Sequence, residues 1–134
     1  MNIAIITSND LYRESLKTVL NQIPRFSVTV VCRNWNEAAA QITGKKINVV
    51  LLDSAGCEND PGGFVKQIHK LSPSAKILML LDHTEECWYT QAIKSGADDA
   101  IPQHADKNVL EEHMRRLSHI HSKQRKKGNI ISKK

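Results

Sequence analysis

The chain has 134 residues, 40% of them hydrophobic and 25% charged, with a formal net charge of +5; that length suits one domain and is enough to bury a single core flanked by helices. No apolar stretch approaches the roughly 20 residues that cross a bilayer, and no basic flank with a cleavage site opens the chain, so a cytoplasmic protein is expected. The positive charge belongs to one segment: Ser122 to Lys134 carries +6 and no acid, which leaves −1 for the rest and removes any general case for a nucleic-acid-binding body.

Along the chain, strand and helix patterns alternate. Ile3 to Ile6 is a short apolar run of the kind buried on both faces of a sheet, and it runs into Thr7-Ser8-Asn9-Asp10. Leu11, Leu16, Val19, Leu20 and Ile23 then recur at helical spacing until Pro24. Phe26 to Cys32 alternates as a second strand. Asn34 or Asn36 can cap a helix through Ile42 that Gly44 closes. Ile47 to Leu52 forms the third strand, apolar except for Asn48, with Asp53 at its carboxyl end. A glycine- and proline-rich loop, SAGCENDPGG, leads to a helix bearing Phe64, Val65, Ile68 and Leu71, stopped near Pro73.

Ile77 to Leu81 is the fourth strand. Trp88, Ala92 and Ile93 mark a fourth helix ended by Gly96, its start signalled by D-H-T-E-E, and Ala100-Ile101 is a short fifth strand. Val109, Leu110, Met114, Leu117 and Ile120 supply the apolar stripe of the last helix. Five βα units without room for hairpins require parallel strands joined by helical crossovers, hence a three-layer α/β/α sandwich.

Metal and redox chemistry find little support. Cys32, Cys57 and Cys87 are odd in number and form no C-x-x-C pair, so they read as ordinary thiols. The six histidines include His113, His119 and His121 in a polar helix, and none belongs to an H-E-x-x-H pattern, so solvated side chains are expected. Three loops should converge at the carboxyl edge of the sheet, where open α/β sheets bind ligands: Thr7 to Asp10, Asp53 with its loop, and Leu81-Asp82-His83. Asp53 is the acid best placed for chemistry. A carboxylate fixed at the end of a buried strand can attack a phosphoryl donor or ligate a hard cation.

The VVLLD run ending at Asp53, the SGADDAI stretch before the last helix, and the spacing of all five units resemble the receiver domain of bacterial two-component response regulators, over residues 1–121. The resemblance implies a flavodoxin-like (βα)5 sandwich with a five-stranded parallel sheet. It also implies that Asp53 accepts phosphate from a histidine kinase, a phosphotransfer protein or a small phosphodonor. An acidic pair after the first strand would hold Mg²⁺, a Ser or Thr after the fourth strand and a Lys after the fifth would grip the phosphoryl oxygens, and an aromatic residue on the fifth strand would report the event.

Carried over residue by residue, the pattern fails beyond Asp53. The metal-pair positions fall on Thr7 and Ser8, hydroxyls where a dication wants carboxylates. The switch positions fall on Leu81, which cannot donate a hydrogen bond, and Ala100. The lysine position falls on Gln103, and a register aligned on Pro102 recovers no lysine. Asp53 alone remains to ligate Mg²⁺, with Asp10 better placed as a helix N-terminal residue than as a displaced ligand.

The chain is therefore expected to be an atypical receiver that binds proteins rather than an enzyme. Partners would dock on the face made by the fourth helix, fifth strand and fifth helix, as a homodimer or with another protein. Residues 122–134 read as a basic tail or linker that continues the last helix and breaks at Gly128. DNA would be reached only through an output domain outside this chain. The alternatives are a working phosphoacceptor and a nucleotide or flavin binder, the latter disfavoured because ITSND has no glycine for close approach to phosphate.

Overall fold

Strands and helices alternate through the chain because each apolar run is too short to do more than cross a sheet once and must be covered by the next helix. The computed structural model describes residues 1–54, 61–82 and 86–130, without the side chains of residues 61, 86 and 119–130. Its elements are β1 (Asn2–Ile6), α1 (Asp10–Asn21), β2 (Ser27–Cys32), α2 (Trp35–Ile42), β3 (Val49–Asp53), α3 (Pro61–Leu71), β4 (Lys76–Leu81), α4 (Glu86–Lys94), β5 (Asp99–Pro102) and α5 (Lys107–Ile130). All strands are parallel, in the order β2-β1-β3-β4-β5. This is the flavodoxin-like sandwich expected from the sequence, with its reversal of strand order between β1 and β3.

Period-two alternation divides the core in two. Ile3, Ile5, Val49, Leu51, Leu78, Leu80 and Ile101 face Leu16 and Leu20 of α1 and Leu110, Met114 and Leu117 of α5. Ala4, Ile6, Val50, Leu52, Ile77, Met79, Leu81 and Ala100 face α2, α3 and α4 through Ala38, Ile42, Val65, Ile68 and Ala92. Trp35 packs edge-on against Phe64, ring centroids 5.3 Å apart, which closes the seam between α2 and α3.

The caps follow their sequence signals. Asn34 Oδ1 accepts the Glu37 backbone N–H at 3.0 Å, while Glu37 Oε1 accepts that of Arg33 at 2.9 Å, a reciprocal cap. The Arg33 backbone amide and then its guanidinium hold the Glu37 carboxyl below the usual carboxylate range. Gly44, at φ +80°, turns the chain out of α2. Asn48, the polar interruption before β3, accepts the Asn2 N–H at 2.7 Å and so extends the pairing of β1 with β3 by a side chain.

Several expectations need correction. Leu11 is 80% exposed; the inward position of the first turn belongs to Tyr12, which stands four residues before Leu16 on the same helix face. Of Trp88, Ala92 and Ile93, the apolar residues that mark α4, only Ala92 is buried; Trp88 and Ile93 are exposed together with Tyr89, as is Val109 beside the Leu110–Met114–Leu117 stripe of α5. The helix expected to break at Gly128 runs through it to Ile130, as a single interior glycine weakens a helix by only about 1 kcal/mol. Residues 55–60, with Cys57 and most of the glycine-rich loop, and His83 to Glu85, which carried the α4 start signal, lie outside the described residues, as do the side chains of His119, Ile120 and His121. Of the other thiols, Cys32 is buried and Cys87 exposed. Burial, and after it Glu37, push the Cys32 thiol up to about 11; such a group stays protonated and inert.

Candidate functional site

The same alternation that builds the α1–α5 core also aims the site. Two residues beyond Ile5 stands Thr7, two beyond Leu51 stands Asp53, and two beyond Ile101 stands Gln103, so all three share the sheet face covered by α1 and α5. They converge where β1 and β3 lie side by side at the reversal of strand order. Asp53 is 3% exposed and Thr7 1% exposed. Thr7 Oγ1 donates to Asp53 Oδ2 at 2.7 Å, and Gln103 Nε2 donates to Asp53 Oδ1 at 2.5 Å. Each carboxylate oxygen thus accepts a hydrogen bond from a neutral donor, and such bonds to a charged group contribute about 1.5–3 kcal/mol each.

The backbone around these donors is fixed. Thr7 N–H donates to the Cys32 carbonyl at 3.1 Å, and Gln103 N–H to the Leu81 carbonyl at 2.8 Å. From α1, the Tyr12 hydroxyl donates to the Gln103 carbonyl at 3.0 Å and the Arg13 guanidinium to the Thr7 carbonyl at 2.9 Å. Burial, with the Asp53 charge behind it, pushes the Tyr12 phenol far above its ordinary value, so it remains an O–H donor.

Of the residues singled out from the sequence, Thr7, Asp53 and Gln103 meet; Ser8, Leu81 and Ala100 do not join them. Ser8 is exposed. Leu81 and Ala100 are 5% exposed and belong to the apolar core on the opposite sheet face, Leu81 touching the site only through its carbonyl. Asp10 is solvent-facing and pairs with Arg13 in the first turn of α1, with Asn9 as N-cap. Asp82 is exposed and accepts a hydrogen bond from Ser54 Oγ at 3.2 Å.

Mg²⁺ demands near-octahedral oxygen ligands, preferably carboxylates and water. Here the side chain nearest Asp53 from β1 is a hydroxyl whose proton is already given to that carboxylate. Among the described residues no group of three or more His, Cys, Asp or Glu side chains could hold a metal ion. Among the described residues the donor set does not fit Mg²⁺.

Tyr12, Arg13 and Ser54 escaped the sequence reading. A signal existed for the first two: they occupy the first turn of the helix that leaves the β1 crevice, where any inward side chain must reach the neighbouring loops.

A second surface gathers on α4, β5 and α5. Asp99 Oδ2 lies 2.7 Å from His113 Nδ1, and Tyr89 donates from its hydroxyl to Asp99 Oδ1 at 3.3 Å. Around this polar centre Trp88, Tyr89, Ile93 and Val109 are 37–44% exposed. No helix among the described residues is long and apolar enough to cross a membrane.

Comparison with known proteins bears on the family and the fold. The family model for the response regulator receiver domain matches residues 3–115. The transcriptional regulatory protein DegU of Brevibacillus brevis is 25% identical over 112 residues, which cover 84% of this chain and 48% of that protein, so the chain spans about half the length of this relative. Among solved structures, a CheY-like receiver domain protein from Methanospirillum hungatei superposes with a TM-score of 0.78 at 20% identity, covering 92% of this chain and 97% of that one. A Burkholderia pseudomallei response regulator, solved with a phosphorylated aspartic acid, a calcium ion and citrate, gives 0.73 at 20% identity, covering 92% and 72%. CheY6 of R. sphaeroides, in complex with the P1 domain of CheA3, gives 0.76 at 22% identity, covering 87% and 95%. At these identities the structural likeness is one of fold.

Proposed function

This chain belongs to the response regulator receiver domain family of two-component signal transduction, and from that premise we propose that it is an atypical receiver, working through protein contacts with weak or no Mg²⁺-dependent phosphorylation at Asp53. The observation that carries the proposal is the neutral cap on Asp53: a threonine hydroxyl and a glutamine amide donate to its two oxygens from the positions where the family places a metal-ligating acid and a lysine. A phosphoryl group added to Asp53 would displace these donors and meet neither ammonium nor dication from those positions. Loss of even one donor to a developing oxyanion costs on the order of 2.7–4 kcal/mol of transition-state stabilisation.

The exposed aromatic and aliphatic side chains on α4 and α5 supply the contact surface, for a homodimer or another protein, with the kinase or phosphotransfer protein as a further partner. On this reading residues 1–121 are the receiver unit, 122–134 serve as a basic linker, and DNA is reached by an output domain outside these residues. A second reading, phosphoacceptance at Asp53, rests on that carboxylate being retained at the end of β3. Calorimetric titration with Mg²⁺ into the tens of millimolar separates the two. The expected result is no saturable heat; a saturable isotherm lost in Asp53→Asn would overturn the proposal.

A further inference from the structure

Consecutive residues of α1 hold the backbone of both donors to Asp53: Arg13 the Thr7 carbonyl at 2.9 Å, Tyr12 the Gln103 carbonyl at 3.0 Å. The two cases differ in need. Thr7 directly follows β1 and carries a short side chain with a single χ angle, 1% exposed. Gln103 stands just past the end of β5, in a loop where Ala105 N–H turns back to the Pro102 carbonyl at 3.1 Å. Its side chain has three rotatable bonds, and it also lines a cleft of about 170 Å³ between α1 and α5, together with Tyr12. Its staggered torsions give a glutamine rotamers that point away from Asp53 as well as toward it. Its backbone, however, is pinned at both ends, by Leu81 at the N–H and by Tyr12 at the carbonyl.

We propose that Tyr12 is a positioning residue: its hydroxyl, on the Gln103 carbonyl, keeps the Gln103 amide on Asp53 and thereby sets how open that carboxylate is to reagents. The inference rests on the neutral-cap reading above. It adds that the cap is adjusted from α1, so that a contact moving the first turn of α1 also uncovers Asp53. The phenol suits the role because burial keeps it protonated and its ring is packed with the α1–α5 core, leaving the hydroxyl little freedom to swing.

The test is native-state carbodiimide coupling of a small amine to carboxylates, read by peptide mass spectrometry, with the exposed Glu112 in the second turn of α5 as internal reference. Tyr12→Phe removes only the hydroxyl and is expected to speed labelling of Asp53 about fivefold, the worth of one neutral hydrogen bond. Gln103→Ala is expected to speed it more than tenfold, the worth of a bond to a charged group. The double variant should be no faster than Gln103→Ala, and the Gln103 side-chain amide resonances should sharpen and move toward free values in Tyr12→Phe. Labelling at the wild-type rate in Tyr12→Phe, with Gln103→Ala fast, would overturn the positioning role and leave the cap standing; so would a double variant faster than Gln103→Ala. Wild-type rates in all three would overturn the cap itself.

Discussion

Thr7→Asp, Ser8→Asp and Gln103→Lys together are expected to make Asp53 a residue that acetyl phosphate modifies in the presence of Mg²⁺, at least ~100-fold faster than in the unaltered chain. The argument is one of placement. Thr7 and Gln103 already reach the two oxygens of Asp53, so a carboxylate and an ammonium introduced there inherit the backbone positions that β1 and β5 fix. Ser8 is exposed and accepts the second acid without disturbing the core. Leu81 is buried among apolar side chains on the opposite sheet face, so a hydroxyl there would cost stability without facing Asp53, and it is left unaltered. Gln103→Lys alone isolates the electrostatic part: it places an ammonium beside Asp53, while modification by acetyl phosphate stays slow for want of the acids. Rate measurements by intact-mass spectrometry across the series check this. If the triple variant is no faster than wild type, the obstacle lies elsewhere than in the missing charges.

The second large effect concerns the SGAD turn between α4 and β5. Gly96 has φ +110°, a backbone region closed to residues with a Cβ, and a Cβ built on it falls 3.0 Å from Val65 Cγ1. Gly96→Ala is therefore expected to destabilise the domain by about 3 kcal/mol, from backbone strain and overpacking together. Against a typical total of about 5–15 kcal/mol that is a large fraction. Urea unfolding measures it. In a cycle with Val65→Ala only the contact part should be recovered, so the two substitutions should couple favourably without restoring wild-type stability. Full additivity would show that Val65 plays no part.

The order of the elements, the parallel sheet and the placement of Asp53 were all legible in the sequence. Short apolar runs between helical stripes leave few topologies, and β3 ends where its apolar run ends. Gly44, Gly96 and Asn34 were readable for the same reason, since each is demanded by local backbone geometry. The nearness of Thr7 and Gln103 to Asp53 followed from the family resemblance, but the hydrogen bonds that both donate to its carboxylate were not read, because they join residues 46 and 50 positions apart in the chain. Counting in twos from Ile5, Leu51 and Ile101 would have placed all three on one face. Leu11 and Tyr12 show the limit of hydrophobicity as a guide. The more apolar residue is turned to solvent and the phenol inward, because helix phase relative to Leu16 decides which of the two the core receives. On α4, Trp88 and Ile93 satisfy a helical spacing while serving a surface, and only the burial of Ala92 distinguishes the core face.

The claim that Asp53 is capped by neutral donors and lacks the charges for phosphorylation is tested most directly on the unaltered chain. Incubation with Mg²⁺ and acetyl phosphate, followed by intact-mass spectrometry beside Asp53→Asn, is predicted to leave both proteins at their starting mass. A stoichiometric adduct of one phosphoryl group on the unaltered chain, absent from Asp53→Asn, would contradict it.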